Sequence, residues 1–137
     1  MGFVYTEIKL INAEDLGMVR RHIMDQDEVR QTNITALVDS GAWMLTINER
    51  IQEYLQLPFV RKDEGCTADG RKIECDVVGP VRVEWQNRNC NCNAMVLPED
   101  GEPLFGAIPM EEMDLVLLAK EQKLVGKGHP DFPLRRI

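Results

Sequence analysis

A chain of 137 residues makes one domain with room for a modest core. Its net charge of −7 excludes the basic footprint of a nucleic-acid binder, and its 44% hydrophobic content is that of a soluble globular domain. No apolar run approaches the roughly 18 residues of a membrane span, and Met1 leads into Phe3-Val4-Tyr5 with none of the regions of a signal peptide. The expectation is therefore a cytoplasmic chain with no membrane partner.

Residues 3–11 read as a strand, with Val4, Thr6, Ile8 and Leu10 on one face and Tyr5, Glu7 and Lys9 on the other. The same start fits the loose N-myristoylation pattern, but a first strand accounts for it better. Residues 12–31 are polar; Leu16, Val19 and Ile23 recur at helical spacing, so a short helix or an ordered loop fits, as an insertion with freedom to move. A second strand covers 32–39 and a third 44–47. Asn48 then suits a helix N-cap, and the helix runs through Ile51, Tyr54 and Leu55 to stop before Pro58. Residues 59–68 and 71–78 form a hairpin around Ala68-Asp69-Gly70-Arg71, because Asp-Gly is a strong turn signal. Residues 81–85 and 90–97 pair through 86–89. After a polar loop at 98–103 and Gly106, residues 109–113 suit a short helix opening with Pro109. Residues 115–118 and 123–125 close the domain, taken as 1–125, and 126–137 make a C-terminal arm. Many short strands with close turn signals indicate an all-β barrel or sandwich.

Cys66, Cys75, Cys90 and Cys92 are expected to be reduced thiols. A four-thiolate zinc site is conceivable, but only Cys90-Asn91-Cys92 is a close pair, and its spacing is not the usual C-x₂₋₄-C. Two residues apart in a strand share a face, so the pair needs no metal. His22 and His129 lie in polar, unpatterned segments and read as solvated surface residues. Trp85 reads as core.

The run Ala36-Leu37-Val38-Asp39-Ser40-Gly41-Ala42 carries the chemistry. An apolar strand ends in a carboxylate beside a hydroxyl and a glycine. Carboxylates are rarely delivered by a buried strand without a purpose. The plain alternative is a polar turn, since Asp, Ser and Gly all form turns. The run resembles the catalytic segment of retropepsin-like aspartic proteases: two hydrophobic residues, Asp, Thr or Ser, Gly, Ala. Leu104-Phe105-Gly106-Ala107 is similar to that family's late hydrophobic-hydrophobic-Gly element. The likeness runs from Phe3 to about Val125, and is nearest to the small single-domain clan AA proteases of prokaryotes, with viral retropepsins more distant.

The resemblance implies an acid-protease half-barrel, a closed all-β barrel with one or two short helices. It also implies an aspartic endopeptidase with Asp39 as the catalytic residue. Ser40, Gly41, Ala42 and Gly106 would support the active-site turn, and 66–75 would form a flap with Ala68, Asp69, Gly70 and Arg71 at its tip. Trp43 could line a substrate pocket or serve in the core or a dimer contact. Two carboxylates must share one proton for this chemistry. Only one Asp-Ser-Gly is present, because Asp69-Gly70 and Asp100-Gly101 lack an apolar strand leading in. The active form is therefore expected to be a homodimer with a peptide or protein substrate and no metal or organic cofactor. The competing reading is a non-catalytic peptide- or ligand-binding module on the same fold.

Overall fold

A computed structural model describes residues 2–67 and 69–126. Its first strand, β1 (Tyr5–Asn12), has the alternation expected of a half-buried strand: Ile8 and Leu10 face inward while Tyr5 and Glu7 are exposed. β1 pairs antiparallel with β2 (Gln31–Val38), from Tyr5 opposite Leu37 to Ile11 opposite Gln31. The connection between them is folded as helix α1 (Ala13–Arg20) and a 3₁₀ turn at Gln26–Glu28.

Three polar residues tie this connection down. Asn12 caps α1 by accepting from the Asp15 amide at 3.1 Å, while its Nδ2 donates to the Leu55 carbonyl at 2.9 Å. Asp15 is completely buried. Arg30 satisfies its carboxylate with three donors, the backbone N–H and Nε at 3.0 Å and Nη2 at 2.9 Å. A buried carboxylate is tolerable only with such pairing. The segment expected to have freedom to move is thus bonded at both ends.

β3 (Leu45–Asn48) leads into α2 (Glu49–Leu55), where the Asn48 side chain accepts from the Ile51 amide at 2.9 Å and acts as the expected N-cap. β4 (Phe59–Cys66), β5 (Lys72–Trp85), β6 (Arg88–Leu97) and the two-residue β7 (Leu104–Phe105) complete the large sheet. Its order is β1-β2-β7-β3-β6-β5-β4, and β1 also pairs with β5, Lys9 opposite Glu84 through Asn12 opposite Val81. Six strands therefore close into a barrel, while β4 lies outside the ring and pairs with β5. Leu10, Leu45, Ile47, Val77, Val81, Val83 and Phe105 have no exposed surface and form the centre of the core.

The all-β barrel stands, with several corrections of detail. Three short helices are present among the described residues rather than one or two: α1, α2 and α3 (Ala107–Glu112). Pro109 is the third residue of α3 rather than the first, which suits it equally, because N–H groups in a first turn have no helical partner. The strands expected at 71–78 and 81–85 are one continuous β5. The Gly79-Pro80 step is absorbed as a bulge, with Val78 opposite Ala94 before it and Val81 opposite Cys92 after it. The joint to β6 is only Gln86-Asn87; Arg88 and Asn89, expected in the turn, belong to β6, with Arg88 opposite Trp85.

β8 (Leu115–Leu118) and β9 (Lys123–Gly126) pair with one another as a separate two-stranded sheet. Arg88, only 4% exposed, fastens this unit: its Nη1 donates to the Met113 carbonyl at 2.8 Å and the Asp114 carbonyl at 2.9 Å. Gly126 ends β9, so the rest of the expected arm, like Ala68, lies outside the described residues. No described helix is long and apolar enough to cross a membrane.

Candidate active site

β2 delivers Asp39. Its last residues, Leu37 and Val38, pair parallel with Leu104 and Phe105 of β7, and the Asp39 amide continues the ladder by donating to the Phe105 carbonyl at 3.1 Å. On its other side β7 meets β3, Leu104 opposite Thr46. The short β7 is thus threaded between the strand that enters the Asp39 turn and the strand that leaves it. The turn is closed by the Ala42 amide, which donates to the Asp39 carbonyl at 3.0 Å.

The side chain of Asp39 is half-buried, and one of its oxygens accepts from the Gly41 amide at 2.9 Å. Its other oxygen has no hydrogen-bond partner among the described residues, and neither has the exposed Ser40 hydroxyl. A Cβ on Gly41 would stand 3.2 Å from the bonded Asp39 oxygen, so the position is tight for any larger residue.

Gly106 holds the turn from beneath. The Ala107 amide donates to the Ala42 carbonyl at 2.8 Å, and the Ile108 amide to the Trp43 carbonyl at 3.0 Å. A Cβ on Gly106 would lie 2.3 Å from the Met44 carbonyl oxygen and 2.9 Å from that of Ala42. Backbone meets backbone at this crossing, so only glycine fits. Residues 39–43 and Gly106 therefore form one locked unit. Trp43 is not a core residue: its side chain is 75% exposed, while Trp85 is buried and donates its indole N–H to Thr6 Oγ1 at 2.9 Å.

β4 and β5 form the expected hairpin, paired from Arg61 opposite Val77 to Cys66 opposite Lys72. Almost all of β4 is exposed. Its tip is braced from within. The Thr67 amide donates to the Arg71 carbonyl at 2.8 Å, the Gly70 amide to the Thr67 carbonyl at 2.9 Å, and Arg71 Nε to Asp69 at 3.0 Å. Gly70 has φ of 89°, which its residue type allows freely. The Thr67 hydroxyl, followed by the Arg71 amide, holds the Asp69 carboxyl below the usual carboxylate range. The hydrogen bonds of the described tip residues stay within the tip, and among the described residues none joins Asp69, Gly70 or Arg71 to the Asp39 turn.

The four cysteines are free thiols and do not meet at one point. Cys90 and Cys92 lie on the inward face of β6, where hydrogen bonding to Cys90 and burial push the Cys92 thiol up. Cys66 is exposed at the end of β4, next to the hairpin tip. Among the described residues, Asp25, Asp27 and Glu28 are the one set of side chains spaced to share a metal ion, and all three are exposed. His22 is exposed just beyond α1, and His129 lies outside the described residues.

Sequence reasoning found the Asp39 turn and Gly106 but not what surrounds them. Nothing local indicated that β7 passes between β2 and β3. The signal was present only as a short apolar pair followed by glycine. No family model matches this chain, and no curated protein sequence is similar enough to it to count as a match.

Proposed function

We propose that the protein is a retropepsin-like aspartic endopeptidase that works as a symmetric homodimer. The observation that carries this reading is the Asp39 turn. A half-buried carboxylate is fixed at the end of a barrel strand, with one oxygen held by Gly41 and the other unpartnered among the described residues, on a base clamped through Gly106. Rigid support of this kind is what a catalytic group needs. The chain contains one such turn, and peptide hydrolysis of this type takes two carboxylates. Asp39 of each subunit meets its copy across a two-fold axis, and the two Ser40 hydroxyls bond across the same axis.

The paired carboxylates then hold one proton between them, because like charges about 3 Å apart do not both ionise. The ionised member takes a proton from the attacking water, while the protonated member gives its proton to the carbonyl oxygen of the peptide bond. When the tetrahedral diol collapses, the amine leaves with a proton and the pair returns to its starting state. The arm at 66–75 closes over an extended peptide, excluding water and adding backbone hydrogen bonds. Neither a metal nor an organic cofactor enters the scheme.

The test is proteolysis of a diverse peptide mixture between about pH 4 and 7, the range for a shared-proton pair, with Asp39→Asn beside the wild type and the solution mass of both measured. The expected result is cleavage by a wild-type dimer, strongest on the acid side, and none by the variant dimer. A strict monomer, or cleavage that survives Asp39→Asn, overturns the proposal. A folded dimer that binds peptides and cleaves none replaces it with the binding-module reading.

A further inference from the structure

We infer that Trp43 is a specificity-determining residue, taking a large apolar side chain of the peptide two or three residues from the bond that is cut. The assignment rests on the protease reading above and deepens it. Trp43 breaks the pattern of its surroundings: its side chain is 75% exposed, whereas the next two residues, Met44 and Leu45, are 8% and 0% exposed. Its exposure does not come from a loose loop. The Trp43 carbonyl is bonded to the Ile108 amide at 3.0 Å, the preceding carbonyl to Ala107 at 2.8 Å, and Gly106 lies against both residues flanking it. An indole on a fixed base gives a large contact area at small entropic cost.

Its reach follows from the turn. The Ala42 amide bonded to the Asp39 carbonyl closes a β-turn, whose ends lie within about 7 Å. One more residue adds about 3.8 Å, so the Cα atoms of Asp39 and Trp43 are at most about 11 Å apart. An extended peptide advances about 3.3 Å per residue. A side chain two or three residues from the scissile bond is therefore within reach of Trp43. Ile108, whose backbone amide is bonded to the Trp43 carbonyl, is a second large apolar residue left 37% exposed at this crossing. An exposed indole suits an apolar group and carries no charge for an ion to pair with. In a symmetric dimer each subunit brings its own Trp43, so the preference recurs at the same distance on both sides of the cut.

The experiment profiles a peptide library against wild type, Trp43→Ala and Trp43→Phe, with the solution mass of each. The wild type should favour large apolar residues two or three positions from the cut on both sides. In Trp43→Ala the kcat/KM ratio of such peptides over their alanine counterparts should fall at least about tenfold, the scale of losing a pocket contact, and Trp43→Phe should keep most of it. An unchanged ratio in Trp43→Ala overturns the assignment. So does a Trp43→Ala monomer whose full selectivity returns at high protein concentration, which makes Trp43 a subunit contact instead. If the wild type cleaves nothing, hydrolysis falls separately, and the same peptides are titrated while tryptophan emission is followed. With Trp85 buried, a blue shift with apolar peptides that is lost in Trp43→Phe sustains Trp43 as a peptide contact, and no shift overturns it too.

Discussion

Replacing Gly106 with alanine tests the architecture beneath Asp39. The new Cβ would lie 2.3 Å from the Met44 carbonyl oxygen, inside the 3.0 Å that real Cβ atoms keep, and both clashing neighbours are backbone carbonyls that no rotamer change can move. The loop 42–44 and the β7–α3 junction must separate. That strains the two hydrogen bonds from Ala107 and Ile108, worth about 1 kcal/mol each, and adds an overpacking cost of about 1–3 kcal/mol. The expected loss is about 3–5 kcal/mol, which for a domain of this size lowers Tm by roughly 10–20 °C. Gly70→Ala is the control. Its Cβ meets nothing within 4 Å and only the positive φ is unfavourable, so about 1 kcal/mol is expected. Thermal unfolding followed by circular dichroism reads both. A Gly106→Ala protein that melts within about 3 °C of wild type, under 1 kcal/mol by the same scale, refutes the crossing described here.

Asp15 gives the fold an acid-sensitive contribution. Hydrogen bonding to Arg30 holds its carboxyl below the usual carboxylate range, so the stability it contributes is present above the unfolded-state pKa and is lost as pH falls through the lower folded one. Asp15→Asn should cost about 2–3 kcal/mol near neutrality and less at the acid end; urea midpoints that differ from wild type by the same amount at every pH would contradict this. Arg88→Ala leaves the Met113 and Asp114 carbonyls without their Nη1 donor in a buried place, at a cost of about 2–4 kcal/mol. Hydrogen exchange should then speed up first in β8 and β9, and uniform protection would argue against the fastening role. Native titration with a thiol reagent should find one fast cysteine, Cys66, since it is the exposed one while Cys75 and Cys90 are buried and the half-buried Cys92 thiol is held protonated by its bond to Cys90 and by burial. Two or more fast thiols, or a fast thiol that persists in Cys66→Ser, would contradict the burial.

What was legible in the sequence was local chemistry. Asn48 reads as a cap because the bond it makes is three residues away, and Asp69-Gly70 reads as a turn because glycine supplies the positive φ at the tip. The Asp39 turn was legible for the same reason: strand, carboxylate and glycine are contiguous. The missed features depend on distant partners. β5 runs through Gly79-Pro80 because its pairings with β6 and β1 outweigh a local break signal. Arg30 belongs to Asp15, 15 residues earlier, and Asn12 to Leu55, 43 residues later, spacings that carry no periodicity. Arg88 looks like a turn residue until the fold wraps Met113 and Asp114 around it. The insertion of β7 between β2 and β3, which makes Gly106 indispensable, is a fact of topology alone.

The central claim is that two Asp39 side chains from two chains make one catalytic centre, and mixing subunits tests it most directly. Wild type and Asp39→Asn are combined at fixed total concentration, exchanged to equilibrium, and assayed with a cleaved peptide. If each centre needs an Asp39 from both subunits, mixed dimers are inactive and activity follows the square of the wild-type fraction: equal mixing leaves about a quarter of the wild-type rate, as expected for random pairing in a two-fold dimer. A rate linear in the wild-type fraction, at subunit exchange verified by mass, would mean that one carboxylate suffices and would contradict the account.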